Sequence, residues 1–272
     1  MSRRLRVSRL TPTLLVCLVA VLAAIVIVLA PLRDPLAVNL DQLLQPPSAA
    51  HWFGTDQYGR DLFSRVLAAG PLSLAVCGSA TLLALLIGVA LGGAAGYCGG
   101  WIDSAVSGVV DSLAAMPALL TALLIMAALG PSAWGVAVAV GLASAPSVAR
   151  VMRSAVLSIR ERDYVSAARM LGVRELVIFF RHIAPNCAAP VLVLAVTVGA
   201  QALLTESALS FLGLGAPPPT ATWGGLLADS RSFITSAPWL GIFPGITLSI
   251  CVVVMNFAGD GLRERFDAKL EQ

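Results

Sequence analysis

An all-α integral membrane protein of about six transmembrane helices is the fold class that this sequence predicts. Of its 272 residues 58% are hydrophobic and only 12% charged, and the mean hydropathy is +0.87; a soluble domain carries roughly 25% charged residues. The apolar residues gather into six runs, at about 11–32, 71–97, 105–130, 132–150, 188–210 and 240–260, each near the roughly 20 residues a helix needs to cross a bilayer. The runs do not alternate polar with apolar residues and outlast a barrel strand, so helices, which close their own backbone hydrogen bonds in lipid, are the expected spans.

The first run comes after Ser2-Arg-Arg-Leu-Arg-Val-Ser-Arg9, a signal-peptide-like start. It is longer than an h-region, Pro31-Leu-Arg-Asp34 is a poor cleavage site and further spans come after it, so it is expected to be retained. Residues 1–70 then form one unit, the first helix plus a long outer loop, and residues 71–272 the core, with a polar loop at 151–187. In the outer loop, Phe53-Gly-Thr-Asp-Gln-Tyr-Gly-Arg-Asp-Leu-Phe-Ser-Arg-Val-Leu67 offers Thr55 or Asp56 as a helix N-cap and then shows helical spacing, which predicts an amphipathic helix on the outer leaflet.

The second run carries Gly88, Gly92 and Gly96 at four-residue steps, a small-residue face that lets two helix backbones approach closely. The third holds Asp111 within its first two turns and then Met116-Pro117; Asp111 is expected to support a neighbouring helix rather than touch a substrate. In the fifth, Gln201 and Thr205 share one face by their four-residue spacing, and Glu206 and Ser210 an adjacent one. An ionisable group in lipid needs a partner or water, so Glu206 either lines a path through the bundle or ties two helices together. The sixth run ends in a polar tail containing Asp260, grouped with Gly88, Gly92 and Asp111 as structural.

Between the fourth and fifth runs lies Tyr164-Val-Ser-Ala-Ala-Arg-Met-Leu-Gly172, continued by Phe179-Phe-Arg-His-Ile-Ala-Pro-Asn186. Asp163 is placed to cap a short helix through Leu171, which Gly172 ends, and Pro185 to stop a second one. Val173, Leu176, Val177 and Phe180 make an apolar stripe on that second helix, suited to the membrane surface with Arg174 and Arg181 on headgroups. Only Arg33, Arg60, Arg65 and Arg231 of the 18 Lys+Arg fall on the other side. The positive-inside rule therefore places both termini and the 151–187 loop in the cytoplasm of a multi-pass membrane protein.

These segments resemble, in order and over most of the chain, the permeases of the dipeptide/oligopeptide/nickel class of binding-protein-dependent ABC importers. Residues 53–67 are similar to that class's outer signature; Glu206-Ser-Ala-Leu-Ser-Phe-Leu-Gly-Leu-Gly215 with Pro217-Pro-Pro219 and Trp223-Gly224 to a second; and Asn256 to Asp267 to its C-terminal ending, with Ala268 in place of the usual proline. The 163–186 stretch resembles the coupling motif, with Ser166 where the family has Glu. The resemblance implies a type I importer bundle at the bacterial inner membrane that works by alternating access. It also implies a homologous second permease, two ATPase subunits and an extracytoplasmic substrate-binding protein as partners. Carried onto this chain, it assigns ATPase coupling to Asp163, Tyr164, Ser166, Ala167, Ala168, Gly172, Ile183 and Pro185. Dipeptide, longer peptide, nickel chelate and opine remain open as cargo.

The residues also exclude several activities. A phosphate-cradling loop needs a Gly-Lys pair, and the single lysine, Lys269, stands in Ala-Lys-Leu, so no catalytic residue is expected and ATP and Mg are left to partner subunits. His51 and His182 lie far apart without H-E-x-x-H, and Cys17, Cys77, Cys98, Cys187 and Cys251 contain no C-x-x-C, so no cofactor or metal site is predicted on the chain. No compact basic region with interleaved aromatics points to nucleic acid. A secondary transporter would need a repeat with matched broken helices, which the sequence lacks.

Overall fold

The computed structural model describes residues 33–270, with side chains through Glu264. The expected first span at about 11–32, the arginines that precede it (Arg3, Arg4, Arg6 and Arg9) and Cys17 lie outside the described residues. Among the described residues there are eight α-helices: α1 (Leu62–Cys98), α2 (Gly100–Ala114), α3 (Ala118–Leu129), α4 (Ala133–Arg160), α5 (Asp163–Met170), α6 (Glu175–Phe211), α7 (Trp223–Ser230) and α8 (Trp239–Leu270). Of these, α1, α4, α6 and the 239–264 part of α8 are each long and apolar enough to cross a membrane.

The expected third span is broken. Helices α2 and α3 meet at 92°, because Pro117 has no N–H to give the preceding turn and disfavours helical geometry at Met116. The Pro117 carbonyl then accepts from Leu120 and Thr121 N–H and starts α3.

The central contact is α1 against α4. A Cβ added at Gly88 would stand 2.4 Å from Val148 Cβ, at Gly92 2.2 Å from the Ala149 carbonyl oxygen, and at Gly96 2.9 Å from the Arg153 carbonyl oxygen. The four-residue glycine ladder therefore does what its spacing predicts: it brings two backbones closer than any side chain would allow. Helix α6 packs on α1 and α4, and α8 on α6. One core, at the end bearing α7, is built from Leu62, Val66, Met126, Val140, Leu203, Leu209 and Trp223. A second, at the end bearing α5, holds Met152, Val156, Ile159, Val165, Ile178 and Ile183. Leu82, Leu86, Leu124, Ile242 and Ile246 point outward from the bundle, as lipid-facing side chains do.

Two further expectations are corrected. Residues 53–61 form a buried loop instead of a surface helix: Asp61, not Thr55 or Asp56, caps α1 by accepting from Ser64 N–H at 2.9 Å and Ser64 Oγ at 2.7 Å. Asp56 closes the loop, accepting from Tyr58 N–H, Arg60 N–H and Arg60 Nε at 2.8, 3.0 and 2.6 Å. Pro185 stops nothing. Residues 175–211 run on as one span through a π turn at Phe179–Ile183, with Pro185 in the first turn of the segment that begins at Ala184, where its missing donor costs little.

Candidate functional site

Most of the expected 151–187 loop is continued helix, since α4 extends to Arg160 and α6 begins at Glu175. What crosses the end of the bundle is α5 alone. Asp163 sits in its first turn, with Arg162 as the N-cap residue, so the carboxylate faces the positive end of the helix dipole without capping it. Gly172, at φ +76°, ends it: its N–H donates to the Arg169 carbonyl and Val173 N–H to the Ala168 carbonyl, the paired bonds of a left-handed helix stop.

The faces of α5 differ. Val165 and Ala168 are buried with Ile159, Ile178 and Ile183, whereas Asp163, Tyr164, Ser166 and Ala167 are exposed. Met170 and Leu171 are 83% and 84% exposed. Ala168 thus faces the bundle, Ile183 is fully buried within it and Pro185 is exposed on α6. The stripe Val173, Leu176, Val177 and Phe180 lies mostly outward; Ile178, Phe179 and Ile183 make the inward face.

Four side chains fasten this segment, and of these only Arg169 lies within the Tyr164–Gly172 motif read from the sequence. Arg160 Nη1 donates to the Gly96 and Tyr97 carbonyls, both at 3.1 Å, at the C-terminus of α1. The Tyr97 hydroxyl donates to Glu175, whose carboxylate and backbone carbonyl both lie within reach, and Arg169 Nε donates to Glu175 Oε1 at 2.9 Å. Tyr97 stands 78 residues from Glu175 and 63 from Arg160, so spacing gave no signal for the contact.

Two ion pairs join α2 to α4: Arg150 to Asp111 at 2.9 Å and Arg153 to Asp103 at 2.5 Å. They flank a cavity of about 330 Å³ that Gly92, Ser107 and Val110 also line. Asp111 is thus paired with Arg150 of the neighbouring helix α4 and also lines the cavity. Asp260 is exposed on α8.

Glu206 is 2% exposed and accepts from Ser210 Oγ at 2.8 Å and Ser207 Oγ at 3.2 Å. The 212–224 segment seals it: a Cβ at Gly215 would stand 2.2 Å from Ser210 Oγ and one at Gly224 2.4 Å from the Ser207 carbonyl oxygen. Gln201 is exposed, and Thr205 Oγ donates back to the Gln201 carbonyl at 2.9 Å. The two polar faces therefore part company, one inward and one outward.

At the same end the two outer sequence signatures meet. Trp223 Nε1 donates to the Val66 carbonyl at 2.9 Å and Trp223 N–H to Ser73 Oγ at 3.2 Å. A cavity of about 120 Å³ lies between Tyr58, Arg60 and Arg65 on one side and Pro218, Pro219 and Asp229 on the other. Burial holds the Asp229 carboxyl above the usual range despite the pull of Arg65 and Arg60.

The family described as "Binding-protein-dependent transport system inner membrane component" matches residues 84–272. The dipeptide transport system permease protein DppC of Alkalihalophilus pseudofirmus is 41% identical over 233 residues, 86% of this chain and 77% of that protein. The di/tripeptide transport system permease protein DppC of Pseudomonas aeruginosa is 38% identical over 244 residues, 88% of this chain and 80% of that one. Among solved structures, the MetNI methionine ABC transporter in an inward-facing conformation superposes with a TM-score of 0.61 at 17% identity, over 74% of this chain and 95% of that one. At that identity the likeness concerns the fold, a type I importer bundle.

Proposed function

Because the chain belongs to the binding-protein-dependent transport system inner membrane component family, and so is a multi-pass inner-membrane permease subunit of an ABC importer, we propose that it carries peptides inward, driven by ATP that separate subunits hydrolyse. The peptide cargo rests on the relatives, which are named for dipeptides and di/tripeptides. In this reading a homologous second permease completes the pathway, two ATPase subunits bind ATP and Mg on the cytoplasmic side, and an extracytoplasmic binding protein delivers the cargo. Both termini and α5 face the cytoplasm, in keeping with the arginine distribution.

The single observation that carries the coupling part is α5. It turns Tyr164, Ala167, Met170 and Leu171 away from the bundle while Val165 and Ala168 hold it down. Apolar side chains this exposed on a water-side segment mark a protein contact. Small Ala167 lets a partner groove approach closely, and Met170 and Leu171 fill it. Of the two alanines given a docking role, Ala167 is the exposed one and Ala168 the buried one, so Ala167 carries the contact in this reading, and Ser166 offers it an exposed hydroxyl where the family has a carboxylate.

ATP closing the partner subunits would move α5, and the bundle would exchange an inward-facing for an outward-facing arrangement, which the loaded receptor stabilises by binding it better. Glu206, tied to Ser207 and Ser210 inside this chain, serves the bundle's own structure. The test is Ala167→Arg in the reconstituted importer. The expected result is normal membrane insertion with about a ten-fold or greater loss of receptor-stimulated ATP hydrolysis, the size of one contact of ~1.4 kcal/mol. Wild-type stimulation in that variant would overturn the assignment of α5.

A further inference from the structure

The helix that docks the ATPase is fastened on both flanks to the same turn of a different helix. On its N-terminal side Arg160, the last residue of α4, donates to the carbonyls of Gly96 and Tyr97, two of the acceptors that a helix end leaves without partners. Its positive charge also complements the negative end of the α1 dipole. On the C-terminal side Tyr97 donates to Glu175, the first residue of α6, which also accepts from Arg169 of α5. The Tyr97 ring lies 5.1 Å from that of Phe179. Residues 96 and 97 therefore hold the last residue of α4 and the first residue of α6, and through Glu175 they reach α5 between them.

Toward its C-terminus helix α1 also packs backbone to backbone on α4 at Gly88, Gly92 and Gly96, and its 37 residues reach about 55 Å at 1.5 Å per residue. At its far end it carries α7, through Trp223 on Val66 and Ser73, and the capped loop of residues 51–61. Packed helices shift as bodies between discrete arrangements instead of deforming smoothly.

We propose that Tyr97 and Arg160 are positioning residues of the importer, bolting the two flanks of the coupling helix to the end of α1 so that displacement of α5 is delivered toward the far end of the bundle along one continuous helix. The proposal rests on the assignment of α5 to ATPase docking and adds the route by which its movement leaves the docking site. Tyr97 does not touch the ATPase in this arrangement; its hydroxyl sets where Glu175, and through it Arg169, sit.

The experiment uses the whole importer, with a cysteine-free permease carrying spin labels at Leu74→Cys on α1 and Ile242→Cys on α8, both outward-facing positions. ATP is expected to shift the distance between the labels in the parent protein. Tyr97→Phe keeps the ring and its contact with Phe179 and removes only the hydroxyl. It should leave ATPase association intact while the ATP-bound population showing the shifted distance, relative to the unshifted one, falls about five-fold or more, the low end of a typical coupling between sites. Arg160→Gln should act in the same direction, and Tyr97→Phe combined with Glu175→Ala should cost less than the sum of the two single losses, because both remove the hydroxyl–carboxylate bond while Glu175→Ala also takes the partner of Arg169.

An unchanged distance response in Tyr97→Phe and Arg160→Gln would overturn the proposal. So would additive losses in the double variant, or loss of ATPase association in Tyr97→Phe, which would make the hydroxyl part of the dock. A parent importer that binds its ATPases but shows no ATP-dependent shift would overturn the route alone, whereas failure of the parent to bind them would overturn the assignment of α5 itself.

Discussion

The two ends of the bundle handle their polar and apolar side chains in opposite ways. At the end bearing α7, His51, Thr55, Asp56, Arg60, Asp61 and Arg65 are buried, and a short loop is stitched together by charge-assisted bonds. Asp61 accepts from His51 Nδ1 at 2.8 Å as well as from Ser64, and Thr55 Oγ donates to the Gln42 carbonyl at 2.6 Å. At the end bearing α5 the ion pair of Arg169 with Glu175 is about half exposed, and Met170, Leu171, Leu176 and Phe180 have little of their surface covered by this chain. A buried charged network costs much to disturb because each member left behind has lost its water. An exposed apolar ridge costs little to this chain and matters to whatever covers it. The first end ties most of its polar groups together within the chain, with Arg65 Nη1 and Gln57 Oε1 buried and without a hydrogen-bond partner; the second leaves apolar side chains of α5 uncovered by this chain.

This contrast can be broken most forcefully at Asp61. Asp61→Ala removes the α1 cap and orphans His51 and Ser64, so it should destabilise the detergent-purified permease by about 3 kcal/mol, the sum of a lost cap and an unsatisfied buried group. Thermal unfolding against Asp61→Asn, which keeps one acceptor, checks this; equal midpoints for parent and alanine variant would show that the buried network carries no stability. Ala168→Arg comes next. It forces a charge into the cluster with Val165 and Ile178 and should cost about 2–3 kcal/mol and lower the yield of folded protein. An Ala168→Arg permease as stable as the parent would show that this residue faces outward.

Met170→Ser sharpens the comparison from the other side. It should alter the stability of the isolated permease by no more than about 0.5 kcal/mol, yet pull-down of the ATPase subunits should weaken about ten-fold. The smallest effect belongs to Arg169→Ala, whose exposed pair is screened by water, so the unfolding midpoint of the isolated permease should stay close to that of the parent. Raising the salt concentration should erase even a small difference in the unfolding curve.

Features written in local sequence were legible and those made by meeting were not. The glycine ladder at 88, 92 and 96 predicted a close helix contact because small residues at four-residue steps leave no other reading, and Gly172 predicted the stop that its positive φ supplies. Pro117 was visible in the sequence, but the apolar run on both sides hid the break, since hydropathy does not register a missing N–H. Pro185 misled in the opposite way: a proline at the first turn of a helical segment and a proline that ends one look alike until the backbone before it is known. Asp61 lost out to Thr55 and Asp56 because all three are cap residues close together, and only the turn closed by Asp56 decides which one reaches the helix.

At the candidate site the short helix and its end were readable, and its orientation was not. In an eight-residue helix with Ala at both 167 and 168, nothing local says which alanine faces the bundle; that is decided by Met152, Val156, Ile178 and Ile183, which come from two other helices. The clasp joins Tyr97, at the end of α1, to Arg160, Arg169 and Glu175 some 63 to 78 residues later, and a contact between stretches that distant leaves no local pattern in either.

That orientation is the central claim, and cysteine accessibility tests it most directly. In a cysteine-free permease, Ala167→Cys and Ala168→Cys are treated with a polar maleimide, first in the isolated permease and then in the importer assembled with its ATPase subunits. Rapid labelling is expected at position 167 in the isolated permease, with protection at 167 on assembly and little labelling at 168 in either state. Labelling at 167 that is just as fast in the assembled importer, or at 168 faster than at 167, would contradict that orientation.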